Sequence, residues 1–175
     1  MNYADFTFAT FRNMLGMLDD LFVKTQAAGF GDDLLRARLA EDMFDLGHQV
    51  TVLGWQVDNM LSRCAGKASN LNEVDPVTLA EAREHLAAVA ARLDGVSGTD
   101  CLQEDAVVDF DLPFGAGFVL SAGEYARDWA LPQFYFHVMA IYAIMRSQGV
   151  EIGKRDYIPY MMPRLKPGST LSPRS

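Results

Sequence analysis

Residues Pro132–Tyr157 have the sequence PQFYFHVMAIYAIMRSQGVEIGKRDY, and this stretch decides the fold. Between Phe134 and Met145 the only polar groups are the tyrosine hydroxyls and His137. The apolar part spans about 18 Å of helix, which is too short to cross a bilayer. A helix that is apolar on every side has to be surrounded by protein. We therefore predict a central buried helix carrying one histidine, with Pro132 in its first turn and a left-handed cap at Gly149.

Composition limits the class of protein. The chain has 175 residues, of which 50% are hydrophobic. This is enough for one hydrophobic core and too few for two. We expect one domain, residues 1–162, and a flexible basic, proline-rich tail, residues 163–175. The net charge is −8, and the tail is basic, so the body repels phosphate backbones and anionic lipid. With neither a signal peptide nor a membrane anchor at the N-terminus, we expect a cytoplasmic protein without nucleic-acid or membrane partners.

Two cysteines, Cys64 and Cys101, are far apart in the sequence and lack the spacing of a zinc site. In a reducing compartment we expect both to be reduced, partly buried thiols. A disulfide between them is the alternative.

Apolar residues at spacings of three and four predict three further helices. The first covers residues 5–28. The second runs from residue 32 or 33 to about residue 64 and is expected to be the longest, with a second apolar line that includes His48 and Trp55. The third starts at Asp75-Pro76 and ends near residue 93. Because His85 lies off its apolar stripe, we expect that histidine on the surface.

A change to period two between Asp105 and Leu112 predicts a short β-hairpin over one end of the bundle. The spacing of Ser121 and Glu124 is that of a capping box, which predicts a short helical turn before the last helix. The run 154–156, Lys-Arg-Asp, suits either an anion clamp or salt bridges that attach the segment to the bundle. The predicted fold class is therefore all-α, a four-helix bundle with a small β-hairpin insertion before the last helix.

Several motifs resemble the signatures of one family. They are Phe134–His137, Tyr142–Arg146 with Gly149-Val150, and Gly153–Tyr157 near the C-terminus, and Leu39–Phe44 with Gln49-Val50 earlier in the chain. Together they resemble the DUF1993 family, a bacterial and fungal family of unknown function within the DinB/YfiT-like superfamily. The resemblance spans nearly the whole chain and implies an up-down-down-up four-helix bundle that is often a homodimer. It implies no particular reaction.

The wider superfamily suggests where a site would lie. Its better-known members are described as metalloenzymes that bind a divalent metal through three histidines, one from helix 2 and two from the start of the last helix. His137 matches the second of that last pair, because Arg146 follows it by nine residues and Gly149 by twelve. Gln133 stands where the first of the pair would be. His48 is the best candidate for the ligand from helix 2.

The predicted site is an altered or vestigial pocket between the second and last predicted helices, made of His48, Trp55, Gln133, His137 and Tyr142. Two imidazoles and an amide would bind zinc, nickel or manganese weakly, so we expect no tightly bound metal. Buried core histidines, neutral and hydrogen-bonded, are the alternative to ligands.

Two hypotheses for the function follow. The first is a homodimer that binds a small molecule and, if catalytic, acts as a hydrolase or transferase, with no catalytic residue assigned beyond the two histidines. The second is a non-catalytic dimeric interaction or small-ligand-binding module.

Overall fold

The computed structural model describes residues 2–67, 74–112 and 115–169. These residues form a mostly helical body with a small antiparallel sheet. In chain order the elements are α1 (Tyr3–Ala27), a 3-10 helix (Asp32–Arg36), α2 (Leu46–Ala65), α3 (Leu79–Asp94), a 3-10 turn (Gly98–Asp100), β1 (Val107–Asp111), β2 (Gly117–Ser121), α4 (Ala122–Glu124), a π-helical turn (Tyr125–Ala130), α5 (Leu131–Ser147), α6 (Lys154–Tyr157) and a 3-10 helix (Pro159–Arg164).

The core lies between the four long helices. Both α1 and α2 pack against α3 and α5, and the rings of Phe11 on α1 and Phe134 on α5 lie 4.4 Å apart, centroid to centroid. Helix α1 starts with a capping box, in which the Asn2 side chain accepts from the Asp5 N–H at 2.8 Å. Within the described ranges, no helix combines the length and hydropathy needed to cross a bilayer.

The second predicted helix begins later than expected. Residues 32–36 form only a 3-10 helix, and α2 starts at Leu46, after Asp45 caps it by accepting the His48 N–H at 3.0 Å. The prediction that this helix is the longest is therefore wrong, since α1 has 25 residues and α2 has 20. As a consequence Phe44 precedes the helix and is 51% exposed. The third helix also starts later, at Leu79, where Thr78 and Glu81 form a capping box.

The prediction that the central helix is buried on every side is also wrong. Phe134, His137 and Ile141 on α5 are buried, but Phe136 and Met139 are 57% and 45% exposed. The reason is that α2 and α1 pack against part of the α5 surface, and the apolar residues on its remaining face reach solvent. We call this exposed face, formed by Tyr135, Phe136 and Met139, the outer stripe.

The predicted hairpin is confirmed. Strands β1 and β2 pair antiparallel from Val107↔Ser121 to Asp111↔Gly117, with Val108 and Phe110 facing inward. An aromatic cluster holds the hairpin against the helices and consists of Phe110, Phe118, Tyr125 and Trp129. The guanidinium of Arg63 on α2 lies 4.1 Å from the centre of the Phe110 ring. The capping box of Ser121 and Glu124 is present, and the helical backbone continues from α4 through the π turn into α5.

After α5 the chain returns to the bundle. Gly149 has the predicted positive φ, 91°, and the Arg146 guanidinium donates to the Ile152 carbonyl. Lys24 on α1 forms a salt bridge of 3.0 Å with Asp156, which supports the attachment role for residues 154–156. The last 3-10 helix includes Pro163 and Arg164 of the predicted tail. Residues 170–175, most of the predicted connection between the second and third helices, and part of the hairpin turn lie outside the described residues.

Two helical glycines offer a matched test of this packing. A Cβ added to Gly54 on α2 would lie 2.5 Å from His85 Nε2 and 3.1 Å from Val89 Cγ2, whereas a Cβ on Gly16 of α1 would meet nothing within 4 Å. We expect Gly54→Ala to lower the free energy of unfolding by about 1–2 kcal/mol because it overpacks the α2–α3 contact. We expect Gly16→Ala to raise it by about 0.5–1 kcal/mol because alanine favours helix. Urea unfolding of both variants measures these free energies. An equal increase in the free energy of unfolding for the two variants would contradict the close approach of α3 to α2.

Candidate functional site

His137 lies in the middle of the core and pairs with a residue that the sequence analysis did not place in the site. Its side chain is 5% exposed, and its Nδ1 lies 2.7 Å from the Oε1 of Gln49, which is 1% exposed on α2. The Gln49 amide nitrogen donates to the Phe44 carbonyl at 3.4 Å, so the amide oxygen is the atom that faces the imidazole. His137 therefore carries its proton on Nδ1, and its Nε2 holds the lone pair.

His48 lies in the first turn of α2 and is fixed in the same tautomer. Its Nδ1–H donates to Asp75, 3.0 Å from each carboxylate oxygen. An ionised carboxylate only accepts hydrogen bonds, so Nε2 is the ring nitrogen of His48 left for a ligand. The rings of Phe44 and Trp55 flank the imidazole at centroid distances of 4.3 and 5.9 Å.

Burial and the neighbouring His48 both affect the pKa of His137. The pKa of His137 is lowered from 6.5 to about 4, mainly by burial and also by the positive charge of a protonated His48. His48 directly precedes Gln49, the residue that accepts the hydrogen bond from His137. At neutral pH His137 is an uncharged hydrogen-bonding group in the core.

The other residues of the predicted pocket make fewer contacts with the two histidines. Trp55 contacts His48, as described. Gln133 lies one turn before His137 on α5, but among the described residues its amide forms no hydrogen bond with either imidazole. Tyr142 packs instead against Tyr157, with ring centroids 5.6 Å apart, on the side of α5 that meets the C-terminal segment.

The donor set does not fit a resident catalytic metal. The tautomers of His48 and His137 suit ligands, since metal-bound histidines usually donate their other ring N–H to an oxygen. A catalytic zinc site needs three protein ligands, and residues 2–67, 74–112 and 115–169 contain no group of three or more His, Cys, Asp or Glu side chains that could hold a metal ion. Gln133 offers only an amide oxygen in the place of a third imidazole.

Asp75 also lies near the third histidine of the chain, His85. A groove of about 440 Å³ is lined by Asp75, Glu84, His85 and neighbouring residues of α3. Burial lowers the pKa of His85, and the nearby Asp75 carboxylate acts in the opposite direction. The expectation of a solvated surface histidine is therefore wrong, because His85 packs against α2 at Gly54.

Asp75 and Gln49 are the two residues that sequence reasoning missed. The sequence offered one signal for Gln49, which is a polar residue on the buried face of a predicted helix. A buried amide needs a hydrogen-bond partner. The aspartate had no such signal, since Asp75-Pro76 suits a helix start equally well.

Comparisons with known proteins identify a family for the chain and a solved structure with a similar fold. The family model described as "Domain of unknown function (DUF1993)" matches residues 3–158. Among solved structures, the chain is similar to a DinB family member protein from Shewanella denitrificans, with a TM-score of 0.79 and 31% sequence identity, over 98% of this chain and 100% of that chain. No curated protein matches the sequence.

The low pKa of His137 predicts how stability depends on pH. The unfolded chain takes up a proton at this residue near pH 6.5, but the folded chain does so only near pH 4. The free energy of unfolding should therefore fall as the pH is lowered from about 6.5 to 4, by about 3 kcal/mol from this group. His137→Gln should lose this part of the slope, and this loss should exceed that in His85→Gln, because the pKa of His85 is lowered less. Urea unfolding at several pH values measures the slopes, and equal slopes in wild type and His137→Gln would contradict the buried neutral imidazole.

Proposed function

We propose that this chain, which belongs to the DUF1993 family and has a DinB-like fold, is a small-molecule-binding protein with a metal-independent acid–base site of the hydrolase or transferase type. The observation that carries the proposal is the hydrogen bond between His48 Nδ1 and Asp75. We also propose the up-down-down-up helix order and a cytoplasmic location. Helices α1 and α2 each pack against both α3 and α5, as in a four-helix bundle.

His48 is the proton-transfer group in this proposal. With Nδ1–H donated to Asp75, its Nε2 can accept the proton of water, a hydroxyl or a thiol and return it to a leaving group. Asp75 orients the imidazole and stabilises the imidazolium that forms. The side chain of His48 is 27% exposed, so a ligand can approach it from solvent.

His137 has a different role, because its buried imidazole stays neutral at physiological pH. Its Nε2 can accept a hydrogen bond from a donor group of the ligand without adding charge to the site. A ligand that occupies the groove beginning at Asp75 would meet further carboxylates, those of Glu81 and Glu84. These groups favour ligands with hydrogen-bond donors or positive charge over anions.

Asp75→Asn tests the proton-transfer role with little change in shape. An amide can donate to Nδ1 and so favour the tautomer that carries its proton on Nε2, which cannot act as a base. With p-nitrophenyl acetate as the probe, we expect wild type to exceed the buffer rate, and Asp75→Asn and His48→Gln each to lose about 100-fold of that excess. Asp94→Asn, an exposed aspartate at the opposite end of α3, is the matched control and should keep it. A wild-type rate equal to buffer, or variants as fast as wild type, would refute the proposal.

A second candidate function, the dimeric interaction module, rests on the outer stripe of α5. Phe136 and Met139 are both largely exposed, and together with Tyr135 they form an apolar face on one helix. Contiguous exposed apolar residues mark protein interaction sites more often than isolated ones do. We propose that this face forms a homodimer interface.

The dimer proposal has a matched pair of variants, because Phe136 on α5 and Phe6 on α1 are both 57% exposed. We expect wild type and Phe6→Glu to sediment as dimers and Phe136→Glu to sediment as a monomer, since a carboxylate would be desolvated in the interface. Sedimentation velocity at several protein concentrations measures this. Wild-type monomers, or a dimer that persists in Phe136→Glu, would contradict the assignment of this face.

A further inference from the structure

The two cysteines, 37 positions apart in the sequence, are brought to one place by the fold. Cys64 lies at the end of α2 and Cys101 directly after the Gly98–Asp100 turn, and both are free thiols. The backbone N–H of Leu102 donates to the Cys64 carbonyl at 2.7 Å. Leu102 directly follows Cys101, so this hydrogen bond places the backbones of the two cysteines side by side, as the short reach of a disulfide requires.

A tyrosine also connects the two thiols. The Tyr3 hydroxyl donates to the Leu102 carbonyl at 3.0 Å, and Tyr3 lowers the pKa of the Cys64 thiol against the larger effect of burial. Tyr3 and Cys101 line the same groove of about 260 Å³. The arrangement places both sulfur atoms around one side chain at the start of α1.

The two cysteines differ in access. Cys101 is 8% exposed and forms part of the groove wall together with Tyr3, Gly98, Thr99, Leu102 and Glu104. Cys64 is 1% exposed, packed in the core behind that wall. A reagent in the groove therefore meets the sulfur of Cys101 first.

Acidic groups surround the groove. The pKa of both thiols is raised to about 11, mainly by burial, and the carboxylates of Asp100 and Asp5 contribute to this shift at Cys101. Glu104 lines the groove as well. These charges repel an anionic reagent and attract a cationic one.

We propose that this groove is a thiol-modification site that takes small disulfides carrying positive charge, with Cys101 as the attacking residue and Cys64 as the resolving residue. Because its pKa is raised, only a small fraction of Cys101 is thiolate at neutral pH; Cys101 loses its thiol proton to solvent, attacks one sulfur of the reagent, forms a mixed disulfide and releases one equivalent of reagent thiolate. The Cys64 thiolate then attacks the Cys101 sulfur, forms the Cys64–Cys101 disulfide and releases the second equivalent. The protein loses two electrons and two protons, and the reagent disulfide is reduced to two thiols.

The crosslink would join three elements. It would connect the end of α2 to the segment 97–102, which also holds the start of α1, because the Asn2 side-chain amide donates to the Gly98 carbonyl at 3.0 Å. Closing the loop between positions 64 and 101 restricts the unfolded chain. The oxidised protein should therefore melt several degrees higher than the reduced one.

The test uses reduced full-length protein treated with cystamine in native buffer and followed by intact mass and peptide mapping. Wild type should lose two hydrogens and yield a peptide linked through Cys64 and Cys101. Cys64→Ser should stop at a stable cysteamine adduct on Cys101, and Cys101→Ser should remain unmodified over the same time. The anionic disulfide dithiodiglycolate should modify Cys64→Ser at least about tenfold more slowly than cystamine does.

Control experiments test whether each thiol can react and whether each variant folds. In urea both single variants should react fully, which shows that each thiol and the reagent are competent. Circular dichroism checks that the variants fold, and Cys64→Ala and Cys101→Ala replace any that do not. No reaction of native wild type, stable adducts without the crosslink, or equally fast modification of Cys101→Ser and Cys64→Ser would each overturn the proposal.

Discussion

The hydrogen bond between His137 Nδ1 and Gln49 Oε1 is the contact on which the site depends. Both groups are buried, and each supplies the partner that the other needs in a core without solvent. Removing either would leave a buried polar group unpaired, which costs about 1–3 kcal/mol. The bond also sets the register of α5 against α2. Since His48 directly precedes Gln49, that register brings the second imidazole close enough for its charge to act on the first.

Two helices, α2 and α5, and the segment before α3 contribute to this arrangement. Asp45 caps α2, so the helix begins at Leu46 and His48 falls in its first turn. The segment before α3 supplies Asp75, which fixes the imidazole. Helix α5 supplies His137 from its buried face and Gln133 one turn earlier. In the three-histidine pattern that the superfamily resemblance implies, position 133 would hold the third imidazole. With glutamine there, the two remaining imidazoles are supported by Gln49 and Asp75 and are suited to hydrogen bonding and proton transfer.

Much of the fold was predictable from periodicity. The strand alternation around Val108 and Phe110 and the capping box at Ser121 both indicated structures that are present. Apolar spacing misled where it continued through residues 35–43, because spacing does not distinguish a helix from a 3-10 turn followed by irregular chain. Apolar content also cannot show which residues of α5 face solvent. For the candidate site, the sequence pointed to the two histidines but not to their hydrogen-bond partners, because hydrogen bonds across 88 and 27 positions leave no local pattern.

The central claim is that the paired imidazoles act without a resident metal, and the metal content of the protein tests it most directly. Untagged wild type and His137→Ala would be purified without chelator, incubated separately with zinc, nickel or manganese, desalted and measured by elemental mass spectrometry. The account predicts metal far below one equivalent per chain in both proteins. Near-stoichiometric metal in wild type that is lost in His137→Ala would contradict it, because that metal would require a third ligand beside His48 and His137.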